Sequence, residues 1–206
     1  MCMDNNRLPK KILDWDLSVN GNTWSSEIKS ILYRIGENEA FDTRQTVSTN
    51  SCWALLHEQY CNNWKVEIAN KPKLRTYVKF KVNYNVEQYV TSFMSKCQRS
   101  FLAQLRCGIL PLEIETGRWY GIKLEDRKCK VCKNDSIETE VHFLFYCTMY
   151  HDNRSRFYNT ISENVPNFIQ CNDSQKLQLC MEKENVILFS RYLKQIVSKR
   201  KDILYA

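Results

Sequence analysis

A segment rich in cysteine and histidine stands out in this sequence: residues 127–132 read Arg-Lys-Cys-Lys-Val-Cys, and residues 138–147 read Glu-Thr-Glu-Val-His-Phe-Leu-Phe-Tyr-Cys. Its spacing is Cys129-x2-Cys132-x9-His142-x4-Cys147, in a chain that has only 3 histidines. Two thiolates separated by two residues fit a tight turn around one ion, and a histidine and a third thiolate complete a tetrahedron around zinc. The spacing therefore predicts a structural Zn²⁺ ion bound by these four residues, with no open position for a substrate.

The choice of the fourth ligand has alternatives. His151, or Cys107 brought in by folding, could replace one of the four residues. His142 and Cys147 are five residues apart, so their side chains would diverge by about 140° on an unbroken α-helix. We therefore expect a helix here to begin near His142 or to be locally distorted. A different interpretation is that the three cysteines are simply small buried core residues.

The 10 cysteines are not accompanied by an apolar leader segment, and this predicts reduced thiols and metal binding rather than disulfides. The longest apolar runs are about four residues, as at residues 186–189. A bilayer span needs about 20 such residues, so we expect no contact with a membrane. An intracellular location follows from these expectations.

Helical periodicity dominates the rest of the chain and predicts a mainly α fold, in which a helical body packs against a small zinc-stapled CCHC module. The predicted divisions are residues 1–65, 66–124 (basic and helical), 125–150 (the zinc module) and 151–206 (terminal helices). Predicted helices cover residues 27–35, 50–68, 72–80, 138–147, 153–163 and 185–199. The basic run at residues 199–201 would then lie at a helix end, where positive charge favours the helix dipole.

The most regular pattern predicts one long helix over residues 85–105. Asn85 is the expected cap, with Gln88 in the capping-box position. Apolar residues follow at helical spacing from Tyr89 through Phe93 to Leu105, and they predict a face buried in the core.

The positive charge is concentrated in the middle of the chain. The formal net charge is +7, and residues 65–132 carry 14 basic and 6 acidic side chains, which accounts for the whole excess. A localised excess of this kind is typical of proteins that bind polyanions, although a solvated helix face is an alternative. The residues predicted to contact nucleic acid are Lys71, Lys73, Arg75, Lys79, Lys81, Lys96, Arg99, Arg106, Arg118, Lys123, Arg127, Lys128 and Lys130.

The segment around the predicted ligands resembles the zinc-binding module downstream of the reverse transcriptase in non-LTR retrotransposons. That family has a Cys-x2-Cys pair, an acidic residue about four positions before a histidine, an apolar run and a last cysteine. Glu138 occupies the acidic position here, and residues 143–146 form the apolar run. Residues 99–108, Pro111 and residues 114–118 are also similar to the approach to that module, so the resemblance covers roughly residues 70–160.

The resemblance implies a nucleic-acid-handling region from the C-terminal part of a retroelement protein, with a nuclear location. The sequence contains no aromatic-x-Asp-Asp polymerase motif and no glycine-rich phosphate loop, so we expect no enzymatic activity and no small-molecule substrate. The predicted function is zinc-dependent, non-catalytic binding of RNA or DNA. The alternative is a zinc-stabilised structural or protein-interaction scaffold that binds no nucleic acid.

Overall fold

The computed structural model describes residues 8–19 and 21–205. The chain forms two compact units, of which the first ends at Val66 and the second begins at Glu67. Over the described residues the protein is mainly α-helical and contains no β-strand, which confirms the predicted fold class. No helix in those two ranges combines the length and the apolar character that crossing a membrane requires.

The first unit contains helices α1 (Leu8–Ser18), α2 (Trp24–Arg34) and α3 (Asn38–Asp42) and most of α4 (Thr49–Ala69). Polar contacts connect these helices. The Ser25 backbone N–H donates to a carboxylate oxygen of Asp16 at 2.7 Å, and the Gln59 amide donates to the Arg34 carbonyl at 3.1 Å. Leu32 is a buried apolar residue of this unit, which otherwise leaves several large apolar side chains exposed.

The second unit contains seven further helices, with a π-helix at His142–Tyr146 between the fourth and the fifth. They are α5 (Tyr77–Phe80), α6 (Gln88–Thr91), α7 (Lys96–Arg106), α8 (Glu113–Trp119), α9 (His151–Asn164), α10 (Asp173–Cys180) and α11 (Val186–Tyr205). Short 3-10 turns lie at Pro72–Leu74, Leu124–Asp126, Thr148–Tyr150 and Phe168–Gln170.

Helix α11 is the centre of the core in the second unit. Its apolar residues recur at helical spacing, so they form one buried stripe against α7 and α9. The Tyr192 ring stacks on the Phe157 ring of α9, with 4.5 Å between the ring centroids. Phe143 and Leu144, from the segment of the predicted metal ligands, belong to the same core cluster. The core and that segment are therefore packed together as one body.

The predicted helix over residues 85–105 is wrong, because the chain forms two helices there. Helix α6 ends at Thr91, and the hydroxyl of Ser92 donates to the Gln88 carbonyl at 2.7 Å, a local bond that competes with helix continuation. Ser95 then begins α7 with a capping box, in which Gln98 donates its backbone N–H to the Ser95 hydroxyl. The extended link leaves Phe93 98% exposed instead of in the core.

Shortening the fully buried Leu193 of α11 to alanine should lower the free energy of unfolding by about 2–5 kcal/mol, because it removes core contacts and leaves a cavity. Urea denaturation followed by circular dichroism measures this loss. The neighbouring exposed Lys194 provides the control, since its change to alanine should cost less than about 0.5 kcal/mol. Equal losses for the two variants would contradict the described core.

Candidate metal centre

A hairpin-like turn supports the first two cysteines. The Cys129 backbone N–H donates to the Ser136 carbonyl at 2.9 Å, and the Glu138 N–H donates to the Arg127 carbonyl at 2.9 Å. These bonds close the chain on either side of the turn that contains Cys132. Both sulfur atoms are therefore presented from one short loop, as the Cys-x2-Cys spacing predicts.

The π-helix allows His142 and Cys147, which would diverge on an α-helix, to reach the same cluster. The Cys147 N–H donates to the His142 carbonyl at 2.7 Å, which is a bond between residues five apart. An α-helix instead pairs residues four apart, so the π-turn is the local distortion that the sequence predicts. The N–H of His142 donates to the Thr139 hydroxyl at 3.1 Å, which fixes the start of this turn.

The four predicted ligands come together. One ligand atom from each of Cys129, Cys132, His142 and Cys147 lies within 4.8 Å of the other three, and Cys132 Sγ is 3.5 Å from His142 Nε2. A tetrahedral zinc ion with bonds of about 2.0–2.3 Å requires ligand atoms about 3.5–3.8 Å apart. The Cys132–His142 distance matches this requirement, and the Cys3His group could hold a metal ion such as zinc.

The two alternative ligands lie outside this group. The His151 side chain is 73% exposed at the start of α9, and Cys107 is the C-terminal cap of α7. Cys129 and Cys147 are buried, with 3% and 0% of their surface exposed. The described structure thus brings together the set first predicted from the spacing.

Shared hydrogen bonds and burial separate the pKa values of the three thiols. The hydrogen bond to Cys147, together with burial, raises the pKa of Cys129 to about 12. The same bond lowers the pKa of Cys147, whereas burial raises the pKa of Cys132. An ion that binds at neutral pH must therefore displace protons from Cys129 and Cys132.

The carboxylate of Glu138 lies beside the cluster and is completely buried. It accepts hydrogen bonds from Arg200 Nε at 3.0 Å and Nη2 at 2.8 Å, and from the Glu113 N–H at 2.8 Å. The Cys129 thiol donates to the same carboxylate at 3.7 Å. Glu138 thus connects the turn of residues 127–138 (the metal turn) to α8 and α11. Its position in the sequence motif does not indicate this role.

Arg200 is a buried partner of Glu138 that the sequence did not lead us to predict. Residues 199–201 were expected at the end of a helix, but α11 continues to Tyr205 and buries Arg200, which is 6% exposed. The sequence feature that indicates the burial of Arg200 is its spacing. Arg200 follows the core residues Ile196 and Val197 by four and three residues, which places it on the same helical face. A charge on that face requires a buried partner.

Three more glutamates are buried, at positions 113, 115 and 140. Each of them forms an ion pair with a basic residue that the sequence predicts to contact nucleic acid. Lys130 pairs with Glu113 at 2.9 Å. Arg75 pairs with Glu140 at 2.7 Å, and both Arg75 and Arg118 pair with Glu115. Because a buried carboxylate without a partner is costly, these three basic residues neutralise glutamates of the fold.

Two of the predicted contact residues are not on the surface. Lys81 and Arg106 are 8% and 4% exposed, and both pair with Glu87. The Arg106 guanidinium also lies over the Tyr77 and Tyr89 rings, at 5.1 and 5.2 Å from the ring centroids. These partners explain the burial, which removes both residues from the expected contact surface.

The remaining residues predicted to contact nucleic acid differ in whether their charge is already paired within the protein. Lys71 and Lys128 make ion pairs with Glu67 and Asp135, at 3.9 and 3.0 Å. The guanidinium groups of Arg99 and Arg127 donate to backbone carbonyls. Four lysines are exposed and make no ion pair within the described residues: Lys73, Lys79, Lys96 and Lys123.

Comparison of this chain with the profiles of known protein families, with curated proteins and with solved structures finds no match. The Cys3His group in a helical protein is thus described by its own geometry, and no family is identified.

Replacing Cys132 with serine is expected to abolish stoichiometric zinc uptake and to unfold the region of residues 125–150, because zinc binding supplies folding free energy to such segments. Elemental analysis gives zinc per chain, and near-ultraviolet circular dichroism reports the loss of packing. The control is Cys97→Ser, an exposed cysteine outside the cluster, which should retain one zinc. A Cys132→Ser chain with one zinc and an unchanged spectrum would show that the ligand assignment is wrong.

Zinc uptake by the metal-free chain at pH 7 is expected to release at least two protons per ion, because Cys129 and Cys132 bind as thiolates. Ordinary thiol pKa values also lie above 7, so an unfolded metal-free state gives the same sign. Affinity should rise with pH by about tenfold per pH unit for each proton released. Calorimetric titration in buffers of different ionisation enthalpy counts the protons, and a release below one would contradict thiolate binding.

Proposed function

We propose that this protein is a non-catalytic nucleic-acid-binding protein whose second unit is stabilised by a structural zinc ion. The observation that carries the proposal is the Cys3His cluster, in which protein side chains supply all four ligands of a tetrahedral ion. Such a site leaves no position for an activated water or a substrate, so its role is to hold the fold.

The exposed charge of the second unit supports a polyanion as the partner. Lys73, Lys79, Lys96 and Lys123 lie on the surface without a carboxylate partner in the described structure. Lysine is a mobile point charge that suits phosphate contacts of low sequence preference. The contact set that we propose therefore centres on these four residues, together with the exposed Lys71, Arg99 and Lys130 and the half-buried Lys128.

The proposed origin is the C-terminal region of a retrotransposon reverse transcriptase, and the motif supports it. Glu138 is the acidic residue four positions before His142 in that pattern, and in this protein it is a buried partner of the metal turn. A structural reason for an acidic residue at that position makes the motif more specific than the ligand spacing alone. The proposal includes an intracellular, nuclear location.

A second candidate function is a zinc-stabilised scaffold that contacts other proteins. The buried glutamates favour it, because they neutralise Arg75, Arg118 and Lys130 beside the metal cluster. If the remaining lysines are only solvated, the cluster would stabilise a helical body without any polyanion contact.

Zinc-loaded protein is expected to bind labelled single-stranded RNA or DNA, with log K falling by about 0.7 per log unit of salt for each phosphate neutralised. Fluorescence anisotropy over a salt series measures this slope for single-stranded RNA, single-stranded DNA and duplex DNA. Changing the four unpaired lysines together to glutamine should make the slope shallower by up to about 2.8 on single strands, because up to four contacts are lost.

The matched control changes four other exposed lysines to glutamine: Lys11, Lys65, Lys183 and Lys194. This variant has the same net charge as the test variant and should keep the slope of the original protein. Absence of binding to all three probes at low salt would reject the nucleic-acid function and leave the scaffold. Equal slopes for both variants would reject the lysine assignment.

A further inference from the structure

A groove of about 170 Å³ lies between helices α9 and α11 of the second unit. Each helix contributes four residues spaced i, i+3, i+4 and i+7, so the groove follows one face of each helix. Its lining residues are Asn153, Arg156, Phe157 and Thr160 of α9 and Leu188, Arg191, Tyr192 and Gln195 of α11. None of these is among the residues that the sequence predicted to contact nucleic acid.

The two arginines of this groove differ from the other arginines of the second unit. Residues 67–206 contain nine arginines, and seven of them form an ion pair with a carboxylate or donate to a backbone carbonyl within the fold. Arg156 and Arg191 are the two that make no such bond with the described part of the chain. Both are exposed, and both line the same groove, one from each helix.

The floor and walls of the groove favour a compact anion. Phe157 and Tyr192, which are 3% and 2% exposed, close the bottom with stacked rings, and so the arginines cannot be neutralised from within. The amide groups of Asn153 and Gln195 add uncharged hydrogen-bond donors, and no carboxylate lines the groove. The groove volume is several times the roughly 10–15 Å³ that one water molecule needs, and it leaves room for a phosphate group.

From this arrangement we infer that the groove between α9 and α11 is a phosphate-binding site, in which Arg156 and Arg191 hold one phosphate group of a single-stranded polynucleotide. Guanidinium groups donate pairs of hydrogen bonds to phosphate oxygens, and an apolar floor strengthens them by excluding water. The inference rests on the proposed nucleic-acid binding and adds a contact that lies outside the basic middle of the sequence.

The test compares the zinc-loaded full chain with the double variant R156Q/R191Q in the anisotropy salt series on single-stranded RNA and DNA. Loss of the one phosphate contact that the two arginines share should make the slope shallower by about 0.7 and weaken binding about fivefold at 0.1 M salt. The control is K65Q/K183Q, which loses the same charge at exposed positions that do not line the groove and should match the original protein.

A second experiment distinguishes a site for a free phosphate from a site for a polynucleotide. Inorganic pyrophosphate is titrated into the protein, and the side-chain N–H signals of Arg156 and Arg191 are followed by ¹⁵N nuclear magnetic resonance. Unchanged slopes in R156Q/R191Q, while the original protein binds, would overturn the groove site alone. Absence of polynucleotide binding with shifted arginine signals would reject the proposed function and show that the groove takes a free phosphate. Absence of both responses would overturn the function and the site together.

Discussion

The second unit depends on the contacts that the buried carboxylate of Glu138 makes. This carboxylate joins Arg200 of α11, the first turn of α8 and the Cys129 thiol, so three parts of the unit meet at one charge. Removing one partner of a buried ion pair costs about 3–5 kcal/mol, because the other charge is left without compensation. The metal turn and the helical core therefore cannot be assembled independently, and a loss of order at one should be felt at the other.

Buried acids also determine where positive charge remains available. The middle of the sequence holds the excess of basic residues, but Arg75, Arg118 and Lys130 neutralise glutamates, and Lys81 and Arg106 are buried with Glu87. Near-neutral residues 133–206, in contrast, supply the two arginines of the α9–α11 groove. The charge of a sequence window is therefore a poor guide to the charge that a partner meets.

Local patterns made part of this structure predictable. The four clustered residues follow from the Cys-x2-Cys and His-x4-Cys spacing, and α9 and α11 follow from apolar residues at helical intervals. The break between α6 and α7 was not predictable from periodicity, because the Ser95 capping box competes with an apolar stripe of the same period. The pairing of Glu138 with Arg200 joins residues 62 apart, and no local pattern contains that information.

The π-helix fixes the number of residues between His142 and Cys147. His142 and Cys147 reach the same cluster because a hydrogen bond spans five residues, and each added or deleted residue would rotate Cys147 by about 100° away from the other three residues on an α-helical path. The loop of residues 133–135, which lies between Cys132 and the Ser136 carbonyl that closes the turn, is exposed and supplies none of the four clustered residues. Insertions and deletions in related sequences should therefore accumulate in that loop, while the four residues between His142 and Cys147 keep their number even where their identities change.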